Sequence, residues 1–169
     1  MLTLAEVNSL DRAAFIAALG HLFEHSPWVA ERTWSQRPFR DVADLNARLG
    51  ATMRAAPVAE QRALIEAHPD LAGRLARQNQ LTAESTREQA SAGLNRLTEE
   101  ELASFQRLND SYRSKFGFPF IICARLNAKD AIVAAMTARL RNPPEVEHAA
   151  ALAEIEKIAW LRLQDALAR

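Results

Sequence analysis

The chain has 169 residues, 49% hydrophobic and 25% charged, with 21 basic and 21 acidic side chains that leave a formal net charge of zero. That length and balance fit one soluble globular domain over residues 1–169, long enough to bury a core of its own. They argue against nucleic acid or a membrane as partner: no basic face is evident, and no apolar run approaches the ~18 residues that cross a bilayer.

Few glycines, many alanines and a recurring 3.6-residue apolar period predict an all-α fold. Phe15, Leu19 and Leu22 line a first long helix, expected to end near His25 because Ser26-Pro27 reads as a cap followed by a first-turn proline. A short helix through Trp28 and Trp34 should stop before Pro38. Val42, Leu45, Leu49 and Met53 form the next stripe, closed by Pro57, and another helix covers Val58 to Ala67. Pro69 forbids its simple continuation and pushes His68 toward extended geometry. A short helix is expected from Asp70 to about Gln78. Thr82 and Ser85 are both candidate caps for the helix after it. Thr98 with Glu101 forms a capping box ahead of Leu102, Phe105 and Leu108. A helix from Lys129 to Leu140 breaks at Pro143-Pro144, and a last one runs from about Glu145 to the end. Roughly eight helices joined by short loops imply a compact single-domain bundle.

Four islands stand out from this pattern. His68 lies at a proline-bounded corner, where an imidazole can face a helix C-terminus or serve as a general acid/base. Ser85-x-x-Glu88 matches a capping box, and the adjacent Gln89 has no part in capping. If a ligand lies at this helix start, Ser85, Gln89 and the amides there can address its polar groups. Phe116 to Ile122 is an apolar run without helical period, containing Gly117 and Pro119. Its alternation of Phe118, Phe120 and Ile122 suits a buried connector. Yet a lone extended segment leaves backbone groups without a ladder, which a planar amide- or urea-rich ligand could satisfy. Arg162 falls on the apolar face of the last helix with Leu152, Ile155, Ile158, Ala159 and Ala166. There it forms either a buried salt bridge or a fork for a substrate carboxylate.

His21-Leu22-Phe23-Glu24-His25 spells H-x-x-E-H, an inverted zinc-protease motif, but at a helix end and without a recognisable further carboxylate ligand. No metal is expected. The single cysteine, Cys123, cannot form an internal disulfide and points to a reducing compartment. Glu6, Asp11 and Arg12 speak against a secretory leader, and Ala-Leu-Ala-Arg at the end is no peroxisomal address. A cytoplasmic location is expected.

Trp28, Arg37-Pro38-Phe39, His68-Pro69, Ser85-x-x-Glu88-Gln89, Phe116-Gly117-Phe118-Pro119-Phe120-Ile121 and the terminal helix with Arg162, in this order and spacing, resemble the OHCU decarboxylase family. The resemblance runs from about Phe23 to Ala166. Leu126, after Cys123-Ala124-Arg125, stands where the family often has glycine. The resemblance implies decarboxylation of 2-oxo-4-hydroxy-4-carboxy-5-ureidoimidazoline to (S)-allantoin in urate degradation, with no cofactor, in a homodimer. It makes His68 the central acid/base, and gives Glu88 the task of orienting His68 or holding ring and ureido N–H groups. It assigns Pro69, Ser85, Gln89, Phe120, Ile121, Ile122, Cys123, Ala124 and Arg162 to substrate binding. Two other readings remain: a non-catalytic helical binding module, and a hydrolase acting on a ureido compound. Cys123 is a poor nucleophile for the latter, lying in an apolar run without an evident base.

Overall fold

The computed structural model describes residues 1–73, 78 and 80–168. Its helices are α1 (Leu4–Ser9), α2 (Arg12–Leu19), α3 (Trp28–Thr33), α4 (Val42–Ala55), α5 (Val58–Glu66), α6 (Ala83–Ser91), α7 (Glu99–Phe116), α8 (Lys129–Arg139) and α9 (Pro144–Ala166). Short 3-10 turns occupy Gly20–Leu22, Trp34–Gln36 and Ala124–Leu126. Among the described residues there is no strand, only an isolated parallel bridge between Leu2 and Leu167. No described helix is long and apolar enough to cross a membrane. The all-α expectation holds. The helix expected beyond Asp70 runs into residues 74–77 and lies outside the described residues.

The chain divides into two compact units, Met1–Ala67 with Glu156–Arg169, and His68–Ile155. In the first, Thr3 and Glu6 form a capping box for α1, and Asp11 and Asp41 cap α2 and α4 through the amides of Ala14 and Asp44. The α1 box follows the local Thr3-x-x-Glu6 pattern. The first long helix ends earlier than predicted, at Leu19, and tightens into the 3-10 turn before His25 turns left-handed at φ 46°. Phe15, Leu19, Leu45, Leu49, Met53 and Leu163 are fully or almost fully buried here. Asn8 stands in for a strand partner, its side chain bonding both the N–H and the C=O of Phe39 at 2.9 Å.

In the second unit α7 begins at the predicted Thr98–Glu101 box and ends at Gly117. Gly117 has φ 75°, the left-handed position at which a side chain costs most, and its N–H closes the helix onto Arg113 O at 2.8 Å. The chain then runs in neither helix nor strand to Cys123, which is itself extended. Residues 118–124 are all buried, so the alternation of Phe118, Phe120 and Ile122 separates no wet face from a dry one. Tyr112 packs against Phe116 at 4.5 Å and edge-on to Phe120 at 5.2 Å between ring centroids.

Beneath this aromatic group sits Glu147, with no exposed surface. It accepts from Arg139 Nη2 at 2.9 Å, from Asn142 Nδ2 at 2.8 Å and from the Tyr112 hydroxyl. Burial acts to raise the Glu147 carboxyl, but the bonds from Arg139, Tyr112 and Asn142 outweigh it and hold it below the usual carboxylate range. Burial, reinforced by the Glu147 charge, pushes the Tyr112 hydroxyl well above its ordinary value.

A carboxyl held low in the folded state contributes stability above its unfolded pKa, and that stability is lost as pH falls through the folded value. The melting temperature should therefore fall as pH drops below the ordinary carboxylate range. Glu147→Gln should flatten that fall while lowering stability near neutrality. Equal acid slopes for the two proteins, measured by thermal melts at stepped pH, would take Glu147 out of the acid response.

Candidate functional site

The second unit gathers most of the predicted site residues. His68 is its first residue, 6% exposed, at the corner where α5 has ended and Pro69 begins a tight loop. That loop, residues 68–73, closes on itself through Gly73 N–H to Asp70 O at 3.3 Å. A Cβ at Gly73 would meet Asp70 Cβ at 2.7 Å, so the closure needs glycine. Ala72 sits left-handed at φ 50°, which costs a residue with a Cβ about 1–2 kcal/mol.

Such a conformation persists only when its surroundings impose it. Here they come from two helices. Gln89, 6% exposed on α6, accepts from Ala72 N–H at 2.9 Å and donates to Asp70 O at 3.4 Å. Asn109 on α7 donates to Leu71 O at 2.9 Å, while its Oδ1 is buried without a partner, a cost of about 1–3 kcal/mol. Arg113, one turn further along α7, grips the Asp70 carboxylate at 2.8 and 3.0 Å. That pair is partly exposed and contributes direction more than energy.

The Ser85-x-x-Glu88 pattern plays a different part from the one its capping-box match suggested. Thr82 is the cap of α6, its side chain accepting from Ser85 N–H at 3.2 Å. Ser85 thus lies inside the first turn, 5% exposed, and is not the residue that ends the helix. A capping box requires its serine outside the helix. With Thr82 starting the helix one turn earlier, Ser85, the half-buried Glu88 and Gln89 are helix-interior side chains. They belong to a helix that packs against the Ala124–Leu126 turn.

This packing brings α6 to the extended segment. The Cys123 thiol, 1% exposed, is pushed up by burial and then by the charges of Glu154 and Glu88. Glu154 of α9 also accepts from Cys123 N–H at 2.9 Å. Arg139 Nη1 donates to Ile121 O at 2.8 Å, and Cys123 O accepts from Leu126 N–H and Asn127 Nδ2. The backbone groups that lacked a ladder in the sequence therefore have side-chain partners at Ile121 and Cys123. Leu126, the departure from the family pattern, is 60% exposed on the 3-10 turn.

Arg139, Glu154, Asn109 and Arg113 were not singled out from sequence. Each sits on a helix where a charge or amide usually faces water, and no local pattern marks it. Glu147 had a signal that points elsewhere, because acids are common in a first helical turn.

Arg162 lies in the other unit. It is 4% exposed, as its place on the apolar face predicted, and Nη2 donates to Glu24 Oε2 at 3.0 Å while Nη1 reaches His21 O at 3.3 Å. Glu24 is itself 3% exposed. The H-x-x-E-H sequence thus contributes its glutamate and a backbone carbonyl to an ion pair. His21 is exposed on the 3-10 turn and His25 on left-handed backbone, so the pair lacks the α-helical i, i+4 geometry that two metal ligands need. Among the described residues no group of three or more His, Cys, Asp or Glu is placed to hold a metal ion.

Comparison with known proteins places this geometry in context. Residues 8–164 match the family model described as OHCU decarboxylase. A protein of Amia calva named 2-oxo-4-hydroxy-4-carboxy-5-ureidoimidazoline decarboxylase is 45% identical over 160 residues, 95% of this chain and 91% of its own length. The Mus musculus protein of the same name is 42% identical, over 97% of this chain and 92% of its own. Among solved structures, an (S)-allantoin synthase superposes with a TM-score of 0.79 at 29% identity, over 99% of this chain and 54% of that one.

Two predictions follow from the electrostatics. A thiol whose charged form is disfavoured reacts slowly, so a disulfide reagent should modify Cys123 about 100-fold more slowly in the folded protein than in denaturant. Fast modification at neutral pH would restore a nucleophilic role. Arg162→Met should cost about 3–5 kcal/mol by removing the cation paired with the buried Glu24, and adding Glu24→Gln should recover part of it. Additive losses in denaturant melts would show that the two side chains act separately.

Proposed function

The chain belongs to the OHCU decarboxylase family, and on that premise we propose that it removes carbon dioxide from 2-oxo-4-hydroxy-4-carboxy-5-ureidoimidazoline to leave (S)-allantoin. The observation that carries this reading is the joint between the two motifs. Gln89, from the Ser85-x-x-Glu88-Gln89 helix, is hydrogen-bonded into the loop that begins at His68-Pro69. Residues 17 and 19 positions apart are thereby joined in the loop that follows His68.

Loss of carbon dioxide breaks the bond between the carboxylate and the ring carbon that bears the hydroxyl. Its electron pair becomes a C=C bond as the pair of the neighbouring C=N moves onto nitrogen, which takes up a proton. The resulting enol gives up its hydroxyl proton, and the adjacent carbon gains one. The substrate supplies its own electron sink, so the chemistry requires neither a cofactor nor a metal. What remains for the protein is proton handling and orientation.

His68 is the acid/base, acting on the substrate hydroxyl or delivering the proton. Glu88, whose charge is felt at Cys123, orients His68 or holds ring and ureido N–H groups. Pro69, Ser85, Gln89 and the backbone of Phe120, Ile121, Ile122, Cys123 and Ala124 fix the ring and ureido arm. Arg162 binds substrate oxygens, and its pairing with Glu24 suits equally the structural salt bridge that was its alternative. Holding one face toward the proton donor yields one enantiomer. A cytoplasmic homodimer is part of the same proposal, supported by the family and by the lone, buried cysteine.

The test generates the unstable substrate from urate with urate oxidase and hydroxyisourate hydrolase, and follows allantoin by circular dichroism. Wild type should give one optically active enantiomer rapidly. His68→Ala and His68→Asn should lose about 100-fold or more in rate with the melting profile retained. A racemic product at the uncatalysed rate, from folded wild-type protein, would refute the proposal. Ammonia or urea in place of carbon dioxide would favour the hydrolase.

A further inference from the structure

The backbone of residues 120–124, assigned above to the ureido arm, is buried, and up to Cys123 it lies in neither helix nor strand. Its conformation must therefore come from side chains, and Arg139 bears on it in two ways. Nη1 donates to Ile121 O at 2.8 Å, and the guanidinium carbon Cζ lies over the Phe120 ring, 4.4 Å from its centroid. The other edge of the same group is fixed: Nε is 3.0 and 3.1 Å from the two oxygens of Glu147, and Nη2 is 2.9 Å from one of them.

Glu147 has no freedom to follow a wandering arginine. It is fully buried and bonded from its other sides by Asn142 Nδ2 and the Tyr112 hydroxyl. The chain of constraint thus runs from α7 and the start of α9, through Glu147 and Arg139, to the peptide at Ile121. A buried ion pair by itself is a poor source of stability, since apolar residues of the same volume often serve as well. What this pair supplies and apolar residues could not is a directed donor to a carbonyl that has no ladder partner.

We propose that Arg139 is a positioning residue for the reaction. Through the Ile121 carbonyl and the Phe120 ring it sets the backbone that receives the ureido arm, while touching no reacting atom itself. Lysine keeps the charge opposite Glu147, but its single nitrogen cannot grip both carboxylate oxygens, reach Ile121 O and sit over Phe120 together. The inference rests on the assignment of residues 120–124 to substrate binding.

Arg139→Lys and Arg139→Gln test it, with kcat, KM and the optical purity of the allantoin measured beside the melting temperature. In Arg139→Lys, KM should rise about tenfold with kcat within about threefold of wild type, and optical purity should fall. Arg139→Gln should be worse in both. Tyr112→Phe, which removes one of the bonds that fix Glu147 but leaves Arg139 on Ile121, should lower the melting temperature and raise KM by less than Arg139→Lys does. Unchanged KM and optical purity in folded Arg139 variants overturn the proposal, however far the melting temperature drops. Failure of both variants to fold also overturns it, making the pair a core element. Absence of turnover in wild type is a separate result: it removes the decarboxylase reading itself.

Discussion

An extended peptide inside a helical protein carries N–H and C=O groups that no helix satisfies, and burying them unpaired costs more than most single contacts return. Residues 118–123 impose that constraint on the second unit, and the surrounding side chains answer it. Arg139 takes the carbonyl of Ile121 and Glu154 takes the N–H of Cys123. The charges this requires must themselves be neutralised away from water, which explains the fully buried Glu147 and the bonds it draws from Tyr112 and Asn142. One irregular segment thus accounts for an ion pair, a tyrosine held firmly protonated and the aromatic packing above them.

The loop at residues 68–73 meets the same problem on a smaller scale. Its left-handed Ala72 and tight Gly73 turn are held by Gln89 and Asn109, amides that can donate and accept without bringing a charge into the core. Amides suit a buried loop, because they satisfy its backbone groups without the desolvation cost that a buried charge carries. Charge is kept at the margin, in the partly exposed Asp70–Arg113 pair. The two devices meet at α6, which bonds the loop through Gln89 and packs against the Ala124–Leu126 turn.

Most helix boundaries were legible because the signals are local. Thr98-x-x-Glu101, the stripe from Val42 to Met53 and the Pro143-Pro144 break each act within one or two turns, and the observed ends fall within a residue or two. Ser85 shows how the local reading goes astray. Two hydroxyls three residues apart, Thr82 and Ser85, could each have begun α6, and the choice of Thr82 turned an apparent cap into a buried side chain. The helix through His21 likewise ended early, at Leu19, so a motif that needs helical spacing never acquired it.

The sequence by itself determined the helical class, the breaks between helices, the burial of Arg162 and the small group of residues by which the family is recognised. These follow from periodicity, from proline and glycine stereochemistry and from residue identities, none of which needs a distant partner. Only the tertiary structure decided which polar groups pair. That Arg162 meets Glu24, that Arg139 turns to Ile121 and Glu147, and that Gln89 clamps Ala72 are facts about groups 8 to 138 positions apart. A side chain's partner across such a separation depends on how helices pack and on the cost of leaving a buried charge or amide unsatisfied. That cost exists only once the core has closed.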